Sequence, residues 1–172
     1  GLPKPREFVM RHQAVIRGVP LSYEAKAGET YITNIEGEPV ARFFSFSYVK
    51  LDKAGRADPN RPVMFIFNGG PGSGSLWLHV AAFAPRQAVL DRDVNPSNTP
   101  PFGLVANDDS VLDTADLVFI DPVGTGFSHA VGQAQDADFA SVDAYADSVA
   151  RFIEAWLTNN GRFNSPKFVV GE

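Results

Sequence analysis

The sequence predicts an α/β fold in which antiparallel edge strands lead into a parallel core with flanking helices. Three observations predict it. Val63–Phe67, Leu117–Ile120 and Phe168–Val170 are short, continuously apolar runs, as strands are when both faces of a parallel sheet are covered. A helical period lies between the last two: Phe139, Val142, Tyr145, Ala146, Val149, Phe152, Ile153, Trp156 and Leu157 recur at spacings of three and four, which makes an apolar stripe for core packing. Ahead of the first run, residues 11–51 carry short alternating segments rich in aromatic and β-branched residues, the composition of half-buried strands.

The elements follow in order. Residues 1–10 are an extended, proline-containing lead-in. Gln13–Arg17 and Leu21–Ala25 flank Gly18-Val19-Pro20 and predict a hairpin. Glu29–Ile35 is a further short strand, and Val40–Leu51, with Phe43, Phe44, Phe46, Tyr48 and Val49, a long one. The polar stretch 52–62 is a loop. Leu76–Phe83 is a short helix, and the Pro- and Asn-rich residues 91–109 are a long surface loop. Ser141 or Asp138 can cap the long helix, and Asn160-Gly161 ends it.

Composition narrows the function. A chain of 172 residues with 44% hydrophobic and 20% charged residues has globular values and the length of one domain. The net charge of −5 offers no basic field for nucleic acid. There are no cysteines, so disulfides, thiolate metal sites and a cysteine nucleophile are excluded; this fits a reducing compartment without ruling out an oxidising one. No apolar run approaches the ~18 residues of a membrane span. Gly1–Arg6 lacks the apolar core of a signal peptide. Asp136, Asp138, Asp143 and Asp147 read as a solvated helix face, and their spacing alone makes no metal site. No cofactor is implied.

The chemistry is concentrated at strand ends. Phe65-Ile66-Phe67 stops at Asn68-Gly69-Gly70-Pro71-Gly72-Ser73-Gly74-Ser75. Glycines there let the backbone turn sharply and bring N–H groups close to an anionic atom, which suits a phosphate cradle or an oxyanion hole. The phosphate reading fails on detail. No lysine lies between Lys53 and Lys167, and the glycine spacing does not fit a dinucleotide fingerprint. At the other end, Phe168-Val169-Val170-Gly171-Glu172 has the form of the first half of a nucleophile elbow, G-x-S-x-G, whose serine would come next. Ser128 and His129 are adjacent, but neighbours in an extended segment point to opposite faces and do not make a catalytic pair.

These residues carry a family resemblance. Asn68–Ser75 resembles the Asn-Gly-Gly-Pro-Gly-Cys-Ser-Ser signature of serine carboxypeptidases. Asp121-Pro122-Val123-Gly124-Thr125-Gly126-Phe127-Ser128 resembles their Asp-Gln-Pro-Val-Gly-Thr-Gly-Phe-Ser segment, and Phe168–Glu172 the strand before Gly-Glu-Ser-Tyr. The resemblance covers about residues 40–172. It implies an α/β-hydrolase fold, of which residues 1–172 would be the N-terminal part of one catalytic domain, with 1–40 as edge strands and 41–172 as core. It implies removal of single residues from peptide C-termini through an acyl-enzyme. The triad Ser, Asp, His would lie in a segment beyond Glu172, a partner to this chain, and a peptide with a free C-terminus would be the substrate. Gly70 would give a backbone N–H to the oxyanion hole, a donor worth ~3 kcal/mol of barrier. Asn68, the N–H of Gly69 and Glu172 would bind the terminal carboxylate. A glutamate facing a carboxylate requires that one of the two be protonated, which agrees with acidic optima in the family.

The sequence also departs from the pattern. Ser73 stands where the family often has a disulfide cysteine, and Asp121-Pro122 lacks the intervening Gln. The family's second carboxyl falls at Ala82, with His79 and Arg86 as nearby ionisable candidates. These differences resemble a cysteine-free bacterial branch, with a periplasmic or secreted location. An esterase or acyltransferase on the same scaffold, and a non-catalytic binding module, are the alternative readings.

Overall fold

A computed structural model describes residues 1–68, 73–89 and 104–171 of the chain. Strands β1 (Glu7–Ile16) and β2 (Val19–Thr33) form an antiparallel hairpin closed by Arg17-Gly18. Both loop residues have positive φ, 48° and 76°, as a two-residue turn matched to strand twist requires. Arg17 is held there from outside: its backbone N–H donates to Asp108 Oδ1 at 3.1 Å and its guanidinium to Asp113 at 2.5 Å. The hairpin is where the sequence predicts it, but the turn comes earlier, and Val19 and Pro20 belong to β2. Pro20 is tolerated because β2 pairs with the next strand only from Ser22 onward, so its nitrogen faces no ladder there.

β2 is also one strand rather than the two short ones expected. Lys26-Ala27-Gly28 is paired on both sides, to Glu7–Val9 of β1 and to Ser45–Ser47 of β3 (Pro39–Leu51), and the two ladders carry the strand through its glycine. The remaining strands are β4 (Val63–Phe67), β5 (Arg86–Ala88), β6 (Leu104–Ala106), β7 (Asp116–Asp121), β8 (His129–Ala130) and β9 (Lys167–Gly171). The main sheet runs β1-β2-β3-β7-β4-β9, with β8 added to β3. β3 is antiparallel to β7, while β4 is parallel to both β7 and β9. The antiparallel edge and parallel core expected from the sequence are therefore both present. β5 and β6 pair separately, β6 within the region expected to be a loop.

All six residues of β7 are buried, because it is central and covered on both faces. The side-chain period of two divides its residues between two cores. Val118 and Ile120, with Val63 and Phe65 of β4, pack under helix α2 (Val142–Asn160) against Val149, Phe152, Trp156 and Leu157. Leu117 and Phe119, with Ile66, face the other way toward Ile16, Leu21, Tyr23 and Leu112. The second face is covered by an α turn, α1 (Leu76–Leu78), which runs into a π-helical segment, His79–Phe83.

The ends of α2 are those expected. Ser141 accepts from Ala144 N–H at 3.2 Å, and Gly161 closes the helix at φ 63°, the left-handed cap that glycine adopts without a Cβ penalty. Asp138 caps a separate 3-10 turn, Asp136–Phe139, accepting from Gln135 N–H at 2.8 Å. The helix consequently starts at Val142 rather than Phe139.

At the N-terminal end of the parallel strands lies a buried charge cluster. Asp116, fully buried, accepts from Arg61 Nη1 at 2.5 Å, Arg162 Nη1 at 2.7 Å and Lys50 N–H at 2.9 Å. Arg61 also donates to Leu112 O, and Arg162 to Arg61 O at 2.6 Å and to Ser165 Oγ at 2.8 Å. One carboxylate thus ties β7, the loop before β4 and the loop after α2.

Candidate active site at the strand ends

The site is built by strand register. Ile66 of β4 lies beside Phe119 of β7, and Phe67 beside Gly171 of β9. Because the three strands are parallel neighbours, their C-terminal ends emerge on one edge of the sheet. Three motifs far apart in sequence are thereby brought together, at the place where open α/β sheets bind ligands.

Asp121, the last residue of β7, joins two of them. Its Oδ1 accepts from Ser75 N–H at 2.9 Å and from Ser75 Oγ at 3.0 Å, so the carboxylate fastens the far end of the glycine turn. The loop that follows is fixed by its own bonds. Thr125 Oγ1 donates to Pro122 O at 2.7 Å, Gly124 N–H to Ser128 O at 2.9 Å, and Phe44 N–H to Ser128 Oγ at 2.7 Å. Gly126 has φ 51°, and a β-carbon there would run into the Asp121 carboxylate. At the rim, Phe127 is 67% exposed and meets Phe44 edge-on at 5.2 Å, presenting an apolar surface beside the loop.

Asn68 stands at the near end of the turn. It is buried, and its Oδ1 has no hydrogen-bond partner among the described residues. An unsatisfied buried acceptor is costly and is a place where an incoming donor would be stabilised. The Asn68 main-chain carbonyl accepts from the Tyr145 hydroxyl of α2 at 2.9 Å; burial pushes the Tyr145 ionisation up, so that proton stays in place. Gly69, Gly70 and Glu172, the other expected site residues, lie outside the described residues.

The secondary candidates fall elsewhere. His79 is 7% exposed, set between Phe46 and Phe119 with ring centroids 4.7 and 4.5 Å away, and its Nε2 is 2.5 Å from Tyr48 Oη. It is a core histidine on the second face of the sheet. Arg86 lies in β5, near Tyr23, whose pKa burial raises and the Arg86 charge partly offsets. Ala82 is in the π segment. Ser128 and His129 diverge as expected: Ser128 bonds Phe44, while His129 Nδ1 is 3.0 Å from Asp136 Oδ2. Among the described residues no group of three or more His, Cys, Asp or Glu could hold a metal.

Burial depresses the His79 pKa from 6.5 to about 4. The neutral form is therefore favoured in the folded state, and its contribution is present above pH 6.5 and lost as the pH falls from 6.5 through 4. The expected loss is on the order of 3 kcal/mol across that window. Urea unfolding at a series of pH values across that window checks this; His79→Phe is expected to flatten the profile, and an unchanged slope would contradict it.

The serine carboxypeptidase family profile matches residues 22–172. The chain belongs to the serine carboxypeptidase family. The match begins at β2, earlier than the motifs alone would place it. Carboxypeptidase Y homolog A of Ajellomyces dermatitidis is 36% identical over 93 residues, which are 53% of this chain and 15% of that protein. Serine carboxypeptidase-like 19 of Arabidopsis thaliana is 27% identical over 153 residues, 88% of this chain and 30% of the relative. Among solved structures, the prohormone-processing carboxypeptidase Kex1(delta)p of Saccharomyces cerevisiae superposes with a TM-score of 0.57 at 21% identity, over 86% of this chain and 30% of that one. That likeness shows the fold: the sheet is part of an α/β-hydrolase. The chain spans 15% to 30% of the length of these relatives.

The strand-end motifs are legible in the sequence; the roles of Asp121 and Tyr145 are not. Asp121 can be quoted as part of a motif, but its bond to Ser75 depends on β7 lying beside β4. Tyr145 falls in the apolar stripe of α2, and nothing in the stripe marks its hydroxyl as reaching Asn68. Gly126→Ala is expected to displace the Asp121 carboxylate and cost about 3 kcal/mol through overpacking and left-handed backbone strain. Chemical denaturation checks this, and a cost below about 1 kcal/mol would mean that the loop has room for the extra methyl.

Proposed function

We propose that this chain is the N-terminal part of the catalytic domain of a serine carboxypeptidase, residues 1–40 giving edge strands and 41–172 core. The chain supplies the oxyanion glycine and the terminal-carboxylate clamp. The segment after Glu172 supplies the nucleophilic serine next in sequence, then the aspartate and histidine. The observation that carries this is the convergence of the three motifs on one sheet edge, with the Asn68 amide buried and its oxygen unpartnered among the described residues.

The roles follow from the chemistry. The serine attacks the last peptide carbonyl, its proton passing to histidine; the carbonyl oxygen becomes an oxyanion that takes a hydrogen bond from Gly70 N–H. Histidine protonates the departing amino acid, and water then releases the acyl group. The Asn68 Nδ2 and the Gly69 N–H donate to the substrate carboxylate, which restricts cleavage to a free C-terminus. Glu172 and that carboxylate share one proton, since two charged carboxylates in contact repel. This reading places the enzyme outside the cytoplasm, secreted or periplasmic.

The test compares one peptide with a free and with an amidated C-terminus in the full-length enzyme. The free acid is expected to be the substrate, and Asn68→Ala to lower its kcat/KM by about 10- to 100-fold, the worth of one hydrogen bond to a charged group. Equal cleavage of both peptides would remove the clamp. Ester turnover without release of C-terminal amino acids would favour the esterase or acyltransferase reading.

A further inference from the structure

Among the described residues β1 is the terminal strand of the main sheet, and its outer edge is well formed over ten residues. Glu29 N–H donates to Arg6 O at 2.9 Å, in register with the β1–β2 pairs. Alternation along an antiparallel ladder then turns Phe8, Met10 and His12 toward β2 for hydrogen bonding. It leaves the N–H and C=O groups of Glu7, Val9 and Arg11 pointing outward. Edge strands are commonly protected by charged side chains, above all lysine, by proline or by a bulge; the charges of β1, Glu7 and Arg11, are paired to Lys26 and Glu24 of β2 at 3.6 and 3.5 Å. β1 has no lysine and no proline, and its register with β2 is uninterrupted. Instead Phe8 is 70% exposed, Met10 61% and Val9 45%.

The strand is complementary to itself in one register. When two copies run antiparallel about Val9, Val9 faces Val9 of the second copy and the outward groups of both strands meet. Glu7 then lies opposite Arg11, and Arg11 opposite Glu7, on one face; Phe8 lies opposite Met10, and Met10 opposite Phe8, on the other. Opposite charges and apolar pairs directly across a ladder are the stabilising combinations. Moving the axis to Glu7 or Arg11 would set like charges against each other, and the Val9 register is the one antiparallel register that sets Glu7 against Arg11.

We propose that β1 is a self-association edge through which two copies of the protein pair antiparallel about Val9, joining their sheets into one. The contact is small, so association is concentration-dependent rather than permanent. It does not depend on the catalytic reading, because the edge lies on the far side of β2 and β3 from the strand ends.

The experiment uses the full-length protein. Sedimentation across a concentration series is expected to show monomer passing to dimer. Val9→Pro, which removes an outward N–H at an edge position that tolerates proline, is expected to remain monomeric with an unchanged melting temperature. This chain has no cysteine, and opposed residues at the axis lie within disulfide reach. Val9→Cys is therefore expected to yield, on mild oxidation, a disulfide joining position 9 of one copy to position 9 of the other, whereas Gln13→Cys is not expected to crosslink. A protein that stays monomeric throughout overturns the proposal, as it would if another segment of the same chain covered the edge. A dimer that survives Val9→Pro, or one that crosslinks through position 13 instead of 9, overturns it equally.

Discussion

Asp121→Ala is expected to lower kcat/KM of the full-length enzyme about 100-fold, the order of loss that follows when a catalytic donor is displaced by about 1 Å. The proposed effect is indirect. The carboxylate acts by holding Ser75 through both N–H and hydroxyl, at 2.9 and 3.0 Å, and so fixes the far end of the turn that contains Gly70. The near end is fixed by Tyr145 on the Asn68 carbonyl. On the proposed reading, in which Gly70 supplies the oxyanion donor, losing one anchor would move that donor from where charge develops. The buried Ser75 N–H and hydroxyl would also be left unpaired, costing about 1–3 kcal/mol each. Asp121→Asn keeps one acceptor for Ser75 and is expected to fall between wild type and alanine. Steady-state kinetics, with a melting curve for each variant, separates the two effects. A kcat/KM within about threefold of wild type in a folded Asp121→Ala protein would show that the turn holds its geometry without the anchor.

The largest effect on stability is expected at the opposite end of the same strand. Asp116→Ala leaves Arg61 and Arg162 facing each other, buried, without their counter-charge. Breaking a buried ion pair from one side costs about 3–5 kcal/mol, a large share of the roughly 5–15 kcal/mol that stabilises a domain. The expected outcome is a sharp fall in soluble yield and in denaturation midpoint. A triple replacement of Arg61, Asp116 and Arg162 by apolar residues is expected to recover part of the loss, since no uncompensated charge remains. A midpoint in Asp116→Ala close to wild type would mean that water already reaches the cluster.

How much of this is legible in the sequence depends on the range of the interaction. The parallel strands are legible because burial on both faces gives an unbroken apolar run, and β7 is buried at every position. The ends of α2 are legible because capping is local: Ser141 and Gly161 act within their own turn. β2 reads as two strands because Lys26-Ala27-Gly28 has no local β preference; its conformation comes from neighbours on both sides. The same reason explains His79. Its place beside a glycine turn suggests the site, but the helical segment points it at Phe46, Tyr48 and Phe119. If the proposed clamp needs one shared proton, it would work best at low pH, where His79 weakens the fold as the pH drops toward 4.

The most direct measurement is the site of covalent labelling. The full-length protein would be treated with a serine-reactive phosphonate, digested, and the modified peptide sequenced by mass spectrometry. One adduct is expected, on a serine immediately following Glu172, with labelling slowed in Asp121→Ala. An adduct on any serine of residues 1–172, or stoichiometric labelling elsewhere in the protein with none at that position, would contradict a nucleophile elbow at the end of β9.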